Sequence, residues 1–296
     1  MLNVILETCA GTLTQGLIYA ILSYGIFITY KILDFPDLTV DGSFPLGAAV
    51  TAVLLTHGVN AWLTLPIALV IGALAGLCTG LIHVRAKVRD LLAGIITMTA
   101  LYSINLQIAG SNLMVERAID TIYTSAPVMA LLGDLSLSGR KLIVSLALVL
   151  EWYFSTKNGL LLRAVGDNDT LVTTLAVDKG SMKILGLVIA NALVALSGCI
   201  VCQEGRSFSA TMGTGQMVFG LAAVIIGTTL FRRMSFVKGT ATVVIGSILY
   251  KACIQIAILL GLPGNMLKFI TAALFLVILI TGNLSGRKGG ADRAGA

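Results

Sequence analysis

Charged residues are scarce in this chain: 11% of 296 residues, against 57% hydrophobic residues and a mean hydropathy of +0.96. Soluble domains average roughly a quarter charged residues, so the composition excludes a soluble globule and points to a polytopic membrane protein. Only two histidines occur, His57 and His83, both read as lying in loops and neither suggesting catalysis. No Gly-x-x-x-x-Gly-Lys-Ser/Thr phosphate loop is present, which excludes an ATPase of that kind. A metal triad, a nucleophile elbow and paired catalytic carboxylates are missing too, so the chain reads as no enzyme and as holding no cofactor or metal of its own. There is no basic region ahead of the first apolar run. No cleavable signal peptide is therefore expected, and the first apolar helix targets and anchors the chain.

Five cysteines (Cys9, Cys78, Cys199, Cys202 and Cys253) all fall in apolar stretches. Cys199 and Cys202 form a Cys-x-x-Cys, but no second pair and no nearby histidine completes a zinc site, so they read as small packing residues in a helix. The formal charge of +6 is not a nucleic-acid signal, because the cations sit in short loops where they act as topology determinants.

What the chain does have is long apolar runs of about 20 residues, which favour helices over a barrel of shorter alternating strands. The runs are Gly11–Leu33, Phe44–Thr56, Trp62–Ile82, Leu91–Ala109, Leu142–Phe154, Ile184–Cys202, Gln216–Phe231, Thr240–Leu260 and Asn265–Thr281. The expectation is an all-α membrane domain over residues 1–296 with about nine membrane segments, the second and seventh short and broken. Lysine and arginine concentrate in His83–Asp90, Ser155–Lys183, Phe231–Gly239 and the tail, which alternate correctly if all four are cytoplasmic. The N-terminus then lies outside and the C-terminus inside. Gly72, Gly76 and Gly80 share one helix face, a spacing that lets helix backbones approach closely in lipid. The stretch 69–80 also echoes 191–199 weakly.

Two breaks interrupt the apolar pattern. Asp34–Ser43 carries Asp34, Asp37, Thr39, Asp41 and Ser43, and its carboxylates cannot face lipid, since one at mid-bilayer costs at least ~2.5–3.5 kcal/mol on insertion scales. Asp41 or Ser43 can cap a short helix starting near Phe44, with Pro45 in its first turn. Either these acids are caps at the cytoplasmic interface, or the break lines a polar passage. The second break, Glu204–Gly215, is expected on the external side as a Gly-rich connection before a short helix. Lys251 stands deep in an apolar span with Gln255 on the same face. A salt bridge within the bundle is the simpler reading, and a place on a polar path is the other. Ser155–Lys183 is the longest polar connection, and its leucines recur at the spacing of short amphipathic helices.

Three stretches carry a family resemblance over nearly the whole chain: residues 34–49, Leu162-Arg-Ala-Val-Gly-Asp-Asn168, and 212–227. They resemble the permease subunits of bacterial ABC importers of the branched-chain amino acid type, and the first and third resemble a subgroup linked to tryptophan or tyrosine uptake. The resemblance implies a type II importer permease in the cell membrane, pairing with a second copy, two cytoplasmic ATP-binding subunits and an extracytoplasmic solute-binding (lipo)protein. ATP and Mg2+ would reside in the partner ATPase. Arg163, Ala164, Gly166, Asp167 and Asn168 match the family's Leu-Arg-Ala-x-Gly-x-Asn coupling element. Asp169-Thr170 follows where the family often has basic or small residues. Glu204 and Arg206 fall where a solute-binding protein would dock. A stand-alone secondary transporter or channel is the rival reading, and a structural membrane subunit or receptor anchor a further one.

Overall fold

The helices begin and end where glycine, proline and small polar residues interrupt the apolar pattern. The computed structural model describes residues 2–124, 179–230 and 239–259, with a few isolated positions up to 277. Helix α1 spans Leu2–Ile26 and runs into a π-helical stretch, Phe27–Ile32. Helices α2 (Val40–Thr56), α3 (Ala61–Val84) and α4 (Asp90–Ala109) follow. Asn60 accepts the Trp62 amide at 3.0 Å and so caps α3, while Gly110, at φ +69°, ends α4 in a conformation that favours glycine. After β1 (Asn112–Met114), the described chain resumes with α5 (Lys179–Gly205), β2 (Ser207–Ser209), α6 (Gln216–Leu230) and α7 (Gly239–Leu259). Among these, Gly11–Ile32, Ala61–Val84, Asp90–Ala109, Gly180–Gly205 and Thr242–Leu259 are long and apolar enough to cross a membrane; α2 and α6 are apolar but shorter.

The packing is inverted relative to a soluble protein. On α3 the buried residues include Thr64, Ala68, Gly72, Ala75, Gly76, Thr79 and Gly80, while Leu63, Val70 and Leu74 are more than half exposed. Small residues inside allow backbone contact, and the large apolar ones are left for a hydrocarbon surround. Helix α5 is the hub, packed against α3, α2 and α1. A Cβ on Gly72 would meet Ala195 and Asn191, on Gly76 the Leu187 backbone, and on Gly80 Ile184. Positions rising along α3 thus match positions falling along α5, and the two helices lie antiparallel. The stretches 69–80 and 191–199, which echo each other in sequence, belong to these two facing helices.

At one end of the bundle β1 and β2 pair antiparallel, with Leu113 opposite Phe208. Gln203 clamps the same end. Its amide oxygen accepts from the Ile122 backbone at 2.9 Å, and its nitrogen donates to the Thr64 hydroxyl at 2.9 Å.

Several boundaries differ from the sequence reading. Helix α2 starts at Val40 rather than near Phe44, because residues 38 and 39 already accept turn hydrogen bonds from Asp41, Gly42 and Ser43. Pro45 therefore lies inside α2, not in its first turn. Neither Asp41 nor Ser43 caps α2; both side chains bond elsewhere, as described below. Lys179, Gly180 and Lys183 belong to α5 rather than to the preceding connection, and Glu204 is near the last residue of α5 rather than in the break. His57 terminates α2, and His83 is in the last turn of α3, its ring edge-on to Phe35 at 5.0 Å. The expected span Leu142–Phe154, most of Ser155–Lys183, the cations 232–238 and nearly all of Asn265–Thr281 lie outside the described residues.

Because Gly76 sits against the Leu187 backbone, Gly76→Ala is expected to destabilise the bundle by about 1–3 kcal/mol through overpacking. Gly11, with nothing near its missing Cβ, should tolerate Gly11→Ala. Unfolding temperatures of the two detergent-purified variants check the contrast.

Candidate functional site

The two breaks in the apolar pattern meet in space. Between Leu33 and Val40 the backbone leaves helical geometry, and Asp34, exposed and at φ +50°, marks the turn. Three residues on, Asp37 is buried. One of its oxygens accepts the Thr39 amide at 2.9 Å, and the other accepts the Asn191 side-chain NH2 at 2.7 Å. The Asn191 amide oxygen in turn accepts from the Ser43 hydroxyl at 2.7 Å, and its NH2 also reaches the Leu187 carbonyl at 3.1 Å. Thr39 shares a 2.8 Å hydrogen bond with Thr79 of α3. A buried carboxylate is tolerable only when donors replace its water shell, and here one asparagine on the hub helix supplies both that donation and the acceptor for Ser43.

Asp41 makes the second connection. Its carboxylate accepts the Gly215 amide at 3.0 Å and the Met217 amide at 2.8 Å. These amides stand at the N-terminus of α6, where donors lack intrahelical partners and the helix dipole favours an anion. Asp41 thus caps a helix more than 170 residues away in sequence instead of its own. Pro45 offers no N–H to the Asp41 carbonyl, and Gly213 lies so close that a Cβ there would run into that carbonyl and the Pro45 ring. Glycine at 213 is thus a requirement of close approach between the two breaks.

Beside this junction is an aromatic cluster. Tyr19 of α1 and Tyr250 of α7 each meet Phe219 of α6 edge to face with ring centroids 4.9 Å apart, and Phe44 of α2 lies 5.9 Å from Tyr19. Lys251 places its ammonium 3.5 Å from the Tyr19 ring centroid and 5.1 Å from that of Phe219, a cation–π seat. Among the described residues the Lys251 ammonium meets aromatic faces rather than a carboxylate, where the sequence suggested a salt bridge. Gln255 does not join Lys251; it lines a separate, almost wholly apolar cavity of about 310 Å³ with Ile248 and Leu259.

Of the remaining candidates, Arg206 sits at φ +49° and donates to the Glu116 and Ile119 carbonyls at 2.9 and 2.8 Å, which ties the β2 turn to the segment after β1. Glu204 is exposed nearby. Burial pushes the Tyr123 phenol up, on that same side of the bundle. Cys199 and Cys202 are buried, the former 3.5 Å from the Thr64 hydroxyl, and among the described residues no group of His, Cys, Asp and Glu could hold a metal ion. Arg163, Ala164, Gly166, Asp167, Asn168 and Asp169 lie outside the described residues. Sequence reasoning missed Asn191, Thr79, Tyr19 and Phe219. Asn191 had a signal, as a lone amide in an apolar span, where polar groups are expected to be partnered. The two aromatics had none beyond composition.

Residues 8–279 match the family described as branched-chain amino acid transport system, permease component. A tyrosine transport system permease protein of Clostridioides difficile is 38% identical over 93% of this chain and 91% of its own length. An uncharacterized protein of Rickettsia prowazekii is 31% identical over 90% of this chain and 95% of its own. A ribose import permease protein of Haemophilus influenzae is 26% identical over 97% and 86%. No solved structure matches. The chain belongs to the branched-chain amino acid transport permease family.

Two variants separate the halves of the junction. Asn191→Leu strands both the Asp37 carboxylate and the Ser43 hydroxyl and should cost about 1–3 kcal/mol. Asp41→Ala removes the α6 cap at a cost of about 0.5–2 kcal/mol. Denaturation of the purified protein in mild detergent measures both, and an unchanged midpoint for either would remove the structural role assigned to it.

Proposed function

We propose that this permease is the membrane subunit of an ATP-driven ABC importer that carries an amino acid, of which tyrosine is the leading candidate. The observation that carries the reading is the Asp41 bridge. Two interrupted apolar segments, one from each half of the chain, are joined at a carboxylate and two helix-end amides, which sets irregular, polar backbone among apolar helices. The likeness to a tyrosine transport system permease supports the solute class. On this reading the polar path includes Asp37, Thr39, Asp41 and Ser43, with Lys251 close by and Asp34 at its inner mouth.

The single permease domain covers residues 1–296 and crosses the membrane in about nine segments, counting the two short helices. Its N-terminus is outside and its C-terminus inside. That orientation is supported by the shared end of α3 and α5, where Gly80 meets Ile184 and which gathers Arg85, Lys87, Arg89 and Lys183 at one side of the bundle. The active unit is a pair of permeases with two cytoplasmic ATPases, which hold ATP and Mg2+, and an external solute-binding protein. Glu204 and the β1–β2 end would face that protein.

ATP binding closes the ATPases, and the segment 155–183 transmits the movement to α5, which it enters directly in sequence. Arg163 pairs with carboxylates or carbonyls of the ATPase, Gly166 permits the turn, and Ala164, Asp167, Asn168 and Asp169 complete the contact. Rocking of α2 and α6 about their common junction then opens the path to alternate sides.

The test is the complex reconstituted in liposomes with its own ATPase and binding protein. Arg163→Glu is expected to abolish the stimulation of ATP hydrolysis by loaded binding protein while basal hydrolysis by the ATPase remains. Full stimulation in the variant would sink the coupling role. Solute flux through liposomes holding this chain alone would favour the stand-alone transporter.

A further inference from the structure

Asn105 of α4 is completely buried and lines a cavity of about 320 Å³ beside the junction of the two breaks. Its side-chain NH2 donates to the Gly42 carbonyl at 3.2 Å, while its amide oxygen meets no donor. The amide cannot gain by flipping, since that would set oxygen against the Gly42 carbonyl oxygen. An unsatisfied acceptor in an apolar interior is costly, so its retention points to a partner that comes and goes.

Two further groups on the wall offer acceptors. Asp41 lines the cavity with a carboxylate that accepts two amides and retains further lone pairs. Thr99 lines it as well, and its hydroxyl proton is already given to the Ile95 carbonyl at 2.8 Å, which leaves only acceptor capacity. Tyr102 and Met98 supply ring and thioether surface, Thr214 adds a hydroxyl, and among the described residues no basic side chain lines the cavity. A carboxylate beside an unpaired amide oxygen, with no basic side chain among the described lining residues, selects a cationic donor. We infer that Asn105, Asp41 and Thr99 form an ammonium subsite that takes the α-amino group of an amino-acid solute during passage. This rests on the permease reading above and names the part of the solute that the path holds. The Asn105 oxygen is covered by its neighbours in this conformation, so the ammonium reaches it only when α4 and α2 part.

The experiment has two arms on the full complex with its ATPase and binding protein. In the first, L-tyrosine uptake is compared among wild type, Asn105→Leu and Asn105→Asp. The aspartate keeps an acceptor toward the cavity but loses the donor to Gly42. Uptake by Asn105→Leu is expected to fall about tenfold or more, the equivalent of one charge-assisted hydrogen bond, and Asn105→Asp is expected to restore most of it. An Asp variant as poor as the Leu variant would show that Asn105 only anchors Gly42 and would overturn the inference.

In the second arm, Thr99→Cys is introduced with the other cysteines replaced and labelled with aminoethyl or sulfonatoethyl methanethiosulfonate. The ammonium reagent is expected to react about tenfold faster than its intrinsic advantage over the anion on a free thiol, and Asn105→Leu should reduce that preference. Equal preference with and without the amide would overturn the inference, as would a cavity holding only water. A wild-type complex that imports no L-tyrosine yet keeps the Asn105-dependent labelling preference would count against the proposed solute and leave the ammonium subsite standing.

Discussion

Two backbone amides, those of Gly215 and Met217, point at a carboxylate from the opposite end of the chain, Asp41, and the arrangement of the bundle depends on that contact. A short helix set among others presents unpaired N–H groups at its start, and a hydrocarbon surround offers no water to satisfy them. Asp41 answers this for α6, and the partial positive charge of the helix end offsets part of the cost of burying the acid. The same contact explains Gly213 and Pro45. One supplies room for the Asp41 carbonyl, and the other leaves that carbonyl without its usual helical donor.

The second constraint is steric. Helices in lipid gain nothing from hiding leucine from water, so close packing and interhelical hydrogen bonds must hold them together. The α3–α5 seam meets the first demand with glycine and alanine against bare backbone. Asn191 meets the second, serving Asp37 and Ser43 from the middle of the hub helix. Close backbone contact therefore concentrates in α2, α3 and α5. The aromatic cluster of Tyr19, Phe219 and Tyr250 joins the α1–α6–α7 side through softer contacts and seats the Lys251 cation on ring faces.

Much of this was readable from residue order. Apolar runs gave α3, α4 and α6 to within a few residues at each end, because hydrophobic length is a local property. The breaks at 34–43 and 204–215 were visible as clusters of acids, glycine and proline. The start of α2 differs by four residues because its first turn carries Asp41, Gly42 and Ser43, which look like a loop in sequence, while tertiary neighbours bury Val40, Gly42 and Ser43. Lys179 and Lys183 read as loop residues for the related reason that charge at a helix end looks like a connection. Lys251 invited an ion-pair reading, since nothing in the local sequence shows that rings from α1 and α6 will face it.

Sequence alone determined that the chain is helical and membrane-bound, where its apolar runs are interrupted, and which family it resembles, since composition, run length and motif order are one-dimensional properties. Only the tertiary structure decided what the polar residues do. Asp41 serves a helix far away in sequence, Asp37 and Ser43 share one asparagine, and Asn105 holds an acceptor open beside a cavity. Hydrogen-bond partners in a bundle are chosen by distance and direction in space, and residues separated by more than a hundred positions carry no local trace of that choice.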